Sequence, residues 1–209
     1  AIGVIPDVTK AMTIDWKQPG DSIYLIGETN DELGASEYFA MLGDNVGKTV
    51  PTVDAKKNAK AYDALSSAIH GKEHSNIPST GADTNPIGLQ NVGMSGIVTS
   101  AIGVGRGGLA VALAKSAVAR QLGADIDLVN LPGSAKKSDS ILFSESQGRM
   151  LVSVRLGKES EFEKIMKGVA FARVGKVSKE NLSIQLSETS LSLTTAELTS
   201  AYRSFFKNW

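Results

Sequence analysis

The stretch "GVGRGGLAVALAK", residues 103–115, sets four glycines and one arginine within six residues and then runs into an alanine- and leucine-rich segment. Gly103, Gly105 and Gly108 fall in the three fixed places of G-x-G-x-x-G. The apolar run "SGIVTSAI" (95–102) precedes it, and Asp125 and Asp127 follow about twenty residues on. Taken alone, this is the fingerprint of a dinucleotide-binding unit, which would make the chain an oxidoreductase domain using nicotinamide or flavin. Two other readings stand beside it. The turn can hold a phosphate on its amides, or the glycines can simply let a helix approach a strand.

Downstream, "LAVALAKSAVARQLG" (109–123) is the clearest helix, with Gly123 at a C-cap position. "ADIDLV" alternates like a strand, and "NLPGSAKKSDS" (130–140), with its proline and glycine, reads as a loop. "ILFSESQGRMLVSV" (141–154) reads as two apolar runs divided by a polar "SESQG". An amphipathic helix at "ESEFEKIMKGV" and strands at "FARVGKV", "LSIQL" and "LSLT" follow, and a helix capped at Thr195 closes the order. A doubly wound domain needs another crossover helix after "ADIDLV", and the proline-containing loop does not supply one. The mixed order favours an α+β fold, a mixed β-sheet layered with helices.

Upstream, "IGVIP", "MTIDW" and "SIYLIG" read as strands, and "KQPGD" as a turn. Ser36 and Gly43 bracket a helix at "SEYFAML". "VDAKKNAKAYDALSSAIHGK" places Ala55, Ala59, Tyr62, Leu65 and Ile69 on one helical face. The segment "GDNVGKT" (43–49) is one residue short of a P-loop, because only three residues separate Gly43 from Gly47. Residues 71–92, rich in serine, asparagine, proline and glycine, read as a mobile loop, functional or simply inserted, in a single domain spanning 1–209.

Composition narrows the chemistry. The 209 residues carry 22 basic and 22 acidic side chains, so nothing in the charge balance calls for nucleic acid or an anionic membrane. The apolar runs fall short of a bilayer span, and the first ten residues lack the basic n-region of a signal peptide, so a cytoplasmic protein is expected. No cysteine is present, which removes thiol catalysis, zinc–thiolate sites and disulfides. The only histidines, His70 and His74, are separated by a glycine-containing turn and form neither a triad nor a convincing metal pair, so no catalytic and no metal-binding residue is assigned.

Three motifs, "GDSIYLIGETNDELGASEYF", "GRGGLAVALAKSAVARQLGADIDL" and "ILFSESQGRMLVSV", in this order and at these spacings, resemble the last domain of the large subunit of phosphoribosylformylglycinamidine synthase. This C-terminal domain type is shared with aminoimidazole ribonucleotide synthetase. The resemblance covers nearly the whole chain and implies one part of a larger ATP-dependent ligase of purine biosynthesis. That enzyme converts an amide to an amidine through an activated iminophosphate. It implies ATP and magnesium in the full enzyme, with their main ligands on N-terminal synthase domains. It also implies glutaminase and small subunits as partners, a small-molecule substrate, and no catalysis by the isolated chain. A start within a strand-like run suggests excision from a longer polypeptide. A purely structural docking domain is the other alternative.

In the resembled family the turn has the form D-V-S-D-G-G-L, so its acidic positions fall on Gly103 and Arg106. Gly105, Arg106, Gly107 and Gly108 are thus the candidate phosphate- or nucleotide-binding residues, with Arg106 gained where a carboxylate is lost; decay to a structural contact is the competing reading. Ser144, Glu145, Ser146 and Gln147 are the candidate substrate-binding residues, set against an ordinary polar hairpin turn. Glu28, Gly34, Ser36 and Glu37 precede a helix whose first amides can meet an anion, or serve only as caps.

Overall fold

In the computed structural model, residues 11–43, 47, 49–70 and 96–204 are described. The strand expected at "IGVIP" and the mobile loop expected at 71–92 lie outside them.

The elements run β1 (Ser22–Ile26), α1 (Glu37–Leu42), α2 (Ala55–His70), β2 (Val98–Gly103), α3 (Gly108–Arg120), β3 (Gly123–Asp127), α4 (Ser138–Phe143), β4 (Met150–Val154), α5 (Glu159–Ile165), β5 (Phe171–Ser178), β6 (Asn181–Gln185), β7 (Ser190–Thr194) and α6 (Thr195–Ser204). The strands form one seven-stranded sheet in the order β2-β4-β1-β5-β3-β6-β7. Among the described strands only β3 and β6 pair in parallel; every other neighbouring pair is antiparallel. This is the α+β sheet with layered helices that the element order implies.

Five consecutive apolar or small residues make β1 a strand buried on both faces. Ile23 and Leu25 point to one core, with Leu109, Leu113 and Ala117 of α3 and Ile141 and Leu142 of α4. Tyr24 and Ile26 point to the other, with Ala61, Leu65 and Ala68 of α2 and Phe162 of α5. Helices therefore cover both faces, α3 packing on α4 and α6, and α2 on α5. Burying each large aliphatic side chain stabilises by about 1.5–3 kcal/mol, so this double burial fixes the register of β1.

The dinucleotide reading fails on topology. Among the described strands β2, which enters the glycine turn, lies at a sheet edge and pairs with β4 alone, antiparallel. β3, which follows α3, sits four places away beside β5 and β6. Among the described residues no parallel β-α-β unit surrounds the glycines, so they form no crevice of the kind that receives a dinucleotide.

Several local readings change. "MTIDW" is not a strand: Thr13 accepts one hydrogen bond from the Ala101 amide, and the wholly buried Trp16 fills the core. "ILF" ends helix α4 instead of forming a strand, because Lys137–Ser138 opens a turn of helix whose buried residues are Ser140, Ile141 and Leu142. The buried stripe of α2 is Ala61, Leu65 and Ala68, with Tyr62 exposed, because packing selects one of two adjacent small-residue stripes. α3 closes at Gln121 in the left-handed region, while Gly123 opens β3 where a Cβ would lie 2.1 Å from the Asn181 carbonyl oxygen. Thr194, not Thr195, caps α6: its hydroxyl accepts from the Glu197 amide, and the Glu197 carboxylate accepts from the Thr194 amide, a capping box.

Candidate functional site

β2 delivers the chain at one end of the sheet into the turn 103–108, and α3 starts at Gly108. The glycines of that turn differ in what they are for. A Cβ on Gly105 would meet nothing within 4 Å, and one on Gly103 only the Met150 sulfur at 3.8 Å. Gly107 and Gly108 have φ of +81° and +67°, and a Cβ on Gly108 would lie 2.6 Å from the Leu142 carbonyl oxygen. The steric demand thus sits on the Gly107–Gly108 pair, where α3 presses on the end of α4, and two of the three fingerprint positions carry none of it.

The polar segment 144–147 leaves α4 beside this turn, and the two candidate groups meet through one side chain. Glu145 Oε1 accepts from the Gly107 amide at 2.8 Å and from the Glu37 amide at 3.0 Å. Gly107 is the N-cap of α3 and Glu37 the first residue of α1, so one carboxylate neutralises the amide ends of two helices. The anion at the start of α1 is therefore the chain's own Glu145. Ser36 is the cap of that helix, its hydroxyl accepting from the Phe39 amide and donating to the Leu33 carbonyl at 2.6 Å. Gly43 is its left-handed C-cap. Tyr38 stacks on Phe143 with ring centroids 4.8 Å apart and planes 6° from parallel, which fastens α1 to the end of α4.

Arg106 reaches back to Glu37, its Nε donating to Glu37 Oε1 at 2.6 Å and its Nη2 to the same oxygen. The guanidinium is 84% exposed, so it remains open to solvent while paired. Glu28 instead pairs with Lys57 at 3.2 Å, and Gly34 packs under the Thr49 carbonyl.

The rest of the 144–147 segment is held from beneath by Arg149, a residue the sequence reading passed over. Its side chain is 1% exposed and donates to the Ser144 and Ser146 carbonyls and, at 3.1 Å, to the Thr29 hydroxyl. Burial pushes its pKa down to about 10, against the opposing charges of Glu32 and Glu145, so it stays protonated at neutral pH. Ser146 Oγ accepts from the Asn30 amide at 3.0 Å, Gln147 donates from its exposed amide to the Glu145 carbonyl, and Ser144 Oγ is buried without a hydrogen-bond partner. This is a segment pinned at both serines, not a free hairpin turn. A buried arginine at the start of an apolar strand leaves no periodic signal, which is why sequence alone did not single it out.

Helix-end amides and an exposed guanidinium, donors of the kind that an anion uses, converge here and are held by two carboxylates of the chain itself, Glu145 and Glu37. Among the described residues no group of three or more acidic or histidine side chains is arranged to hold a metal, and no helix is long and apolar enough to cross a membrane.

Residues 82–187 match the family model described as AIR synthase related protein, C-terminal domain. The phosphoribosylformylglycinamidine synthase subunit PurL of Methanocaldococcus jannaschii is 32% identical over 190 residues, 90% of this chain and 22% of the relative. That of Moorella thermoacetica is 31% identical over 91% of this chain and 22% of the relative. The chain thus spans about a fifth of the length of these relatives. Among solved structures, Thermotoga maritima PurL complexed with FGAR superposes with a TM-score of 0.68 over 91% of this chain and 29% of that one, at 20% identity. Hydrogenase maturation protein HypE in complex with ATP superposes with a TM-score of 0.54 over 87% of this chain and 52% of that one, at 13% identity, a likeness of fold. With half its length on the family model and a relative 32% identical over nine-tenths of it, the chain belongs to the AIR synthase related C-terminal domain family.

Proposed function

We propose that this chain serves as a C-terminal-type domain of a phosphoribosylformylglycinamidine synthase large subunit, an ATP-dependent cytoplasmic ligase of purine biosynthesis that converts formylglycinamide ribonucleotide to its amidine. The observation that supports it most is the meeting of the glycine turn and the 144–147 segment at one end of the sheet, in a chain similar to PurL subunits over nine-tenths of its length.

In this reading Gly105, Arg106, Gly107 and Gly108 present a phosphate-binding face, and Ser144, Glu145, Ser146 and Gln147 face the substrate. The donors at the turn are amides and a guanidinium, which suit a phosphate and not a metal ion. Magnesium and the nucleotide's metal ligands then belong to N-terminal synthase domains, and ammonia comes from glutaminase and small subunits. Glu145 fills the Gly107 amide, so a phosphate entering the turn displaces that carboxylate. The turn is therefore closed in this chain until an anion displaces Glu145. The chain contributes positioning and charge stabilisation, not an acid, base or nucleophile.

The test is a graft. This chain replaces the segment it matches in Methanocaldococcus jannaschii PurL, and ADP release is followed with formylglycinamide ribonucleotide, Mg-ATP and ammonium. The chain alone is expected to be inactive and the graft active, with Arg106→Ala raising KM for substrate or ATP. A folded graft without turnover would overturn the reading, and an active graft indifferent to changes at 105–108 and 144–147 would reduce the domain to a scaffold.

A further inference from the structure

Past Glu145 the same segment runs on to Gln147 and Gly148, which line a separate polar cleft of about 420 Å³. Its other walls are the loop after β1, the first turns of α2 and residues 168–170. That volume suits a small molecule. Its charged side chains are Glu28, Glu32, Asp54, Lys57 and Lys60. Three of the five are matched internally: Glu28 pairs with Lys57 at 3.2 Å, and Asp54 Oδ1 accepts from the Lys57 amide at 3.1 Å as a cap on α2.

Two are left. Glu32 is only 7% exposed, and its Oε1 accepts from the Thr52 amide and hydroxyl at 3.3 Å each, while its Oε2 is buried without a hydrogen-bond partner. Arg149 interacts with Glu32 only through its charge and spends its own donors on Thr29, Ser144 and Ser146. A carboxylate oxygen kept from water without a donor is costly, and a ligand that brings the donor recovers that cost. Lys60 forms no ion pair with a described acid, and its Nζ rests against Gly168, where even a Cβ would come within 3.0 Å.

We infer that this cleft binds a small amine-bearing acid, its ammonium meeting the Glu32 carboxylate as that group turns to bring Oε2 out to the cleft, and its carboxylate meeting Lys60 Nζ. Asn58 and Gln147 supply neutral donors and acceptors along the walls, and Ala61, Val169 and Ala170 a short apolar patch for the methylenes between the two charges. A ligand with one charged end satisfies one wall and leaves the other as it was, so both ends are required. The inference stands on the cleft alone and is independent of the synthase proposal.

The experiment titrates the folded chain by calorimetry and ligand-observed NMR with glycine, β-alanine, 4-aminobutanoate and 6-aminohexanoate, and with butanoate and butylamine as one-ended controls. One member of the amino acid series is expected to bind at least about ten-fold more tightly than either control. Glu32→Gln, which keeps the acceptor for Thr52 but turns an N–H toward the ammonium, and Lys60→Gln, at an exposed position, are each expected to weaken it about ten-fold with the fold intact by circular dichroism. No binding by any member up to tens of millimolar, equal binding of the controls, or binding that survives Glu32→Gln would each overturn the inference.

Discussion

Glu145 Oε1 lies 2.8 Å from the Gly107 amide and 3.0 Å from the Glu37 amide, so one carboxylate joins a sequence-distant turn to the starts of two helices. The consequence is local and chemical. The Gly107 amide, a donor that a phosphate would use, already has a partner of the same charge sign as phosphate. Whatever enters the turn competes with a tethered anion, whose effective concentration exceeds that of any free ligand at low occupancy.

Replacing that carboxylate separates its structural and binding consequences. Glu145→Gln keeps the shape but weakens two charge-assisted hydrogen bonds, and is expected to cost about 1–2 kcal/mol in urea unfolding. The same variant is expected to bind inorganic phosphate more tightly than the parent chain, and Arg106→Ala in that background to reverse the gain. Arg106→Ala alone is expected to leave stability within about 0.5 kcal/mol, because its pair with Glu37 is solvent-exposed. Unchanged phosphate affinity in Glu145→Gln would show that the turn is a packing device.

The glycines predict a sharp contrast within one motif. Gly105→Ala is expected to be near neutral, within about 0.5 kcal/mol, since a Cβ there meets open space. Gly108→Ala is expected to cost about 3 kcal/mol or more, since φ is +67° and the new Cβ would crowd Leu142 and Phe143 backbone at 2.6–2.7 Å. Thermal unfolding of the two variants decides it. Equal losses would mean that Gly105 carries a demand absent from this geometry.

How much of this was readable beforehand follows from what each signal measures. The helix from Ser36 to Gly43 was legible to its ends because capping is local: Ser36 bonds within three residues and Gly43 takes a left-handed φ of +80°. The strands β1, β5 and β6 were legible because apolar runs and alternation report burial directly, whereas β7 was legible from its alternation alone, since all five of its residues are exposed. "MTIDW" and "ILF" misled for the same reason, since Trp16 and Ile141 are buried without being in strands, and periodicity cannot separate short buried runs. The two site groups were found separately, but their meeting through Glu145 spans 38 residues and was not available to any local pattern. Glu32 and Arg149 were missed because a buried charge is an exception to patterning and is defined only by its partners.

Acid stability should depend on Asp15, away from the site. Burial alone would raise its pKa, but hydrogen bonds from Lys17, Thr13 and Arg120 outweigh burial and hold it at about 2. A carboxylate depressed in the folded state stabilises fully above its unfolded value of 3.8, and that contribution fades as pH falls through about 2. Asp15→Asn is therefore expected to be less stable by about 1–2 kcal/mol at pH 7, allowing for solvent screening, and the gap should close between about pH 4 and pH 2. Urea midpoints at pH 7, 4 and 2.5 measure it. A gap that stays constant with pH would assign the loss to packing.

Arg149 should be the most sensitive polar residue of the site region. Its guanidinium is 1% exposed and holds the Ser144 and Ser146 carbonyls and the Thr29 hydroxyl. Arg149→Met leaves two buried carbonyls without donors and is expected to cost about 3–5 kcal/mol. Arg149→Lys keeps the charge but cannot span three acceptors with one ammonium, and should fall between the two. Because the folded pKa is depressed, to about 10 from 12.5, the unfolded chain holds the proton more firmly, and this group lends increasing stability only as pH rises through about 10. The Met variant's loss should thus be the same at pH 6 and pH 8.5. Hydrogen exchange supplies the readout that links Arg149 to the turn. If Arg149 fixes the path of 144–147, Arg149→Lys speeds exchange of the Gly107 and Glu37 amides that Glu145 holds, more than it speeds exchange in β6 at the far side of the sheet. Uniform acceleration would reduce Arg149 to a contributor to global stability.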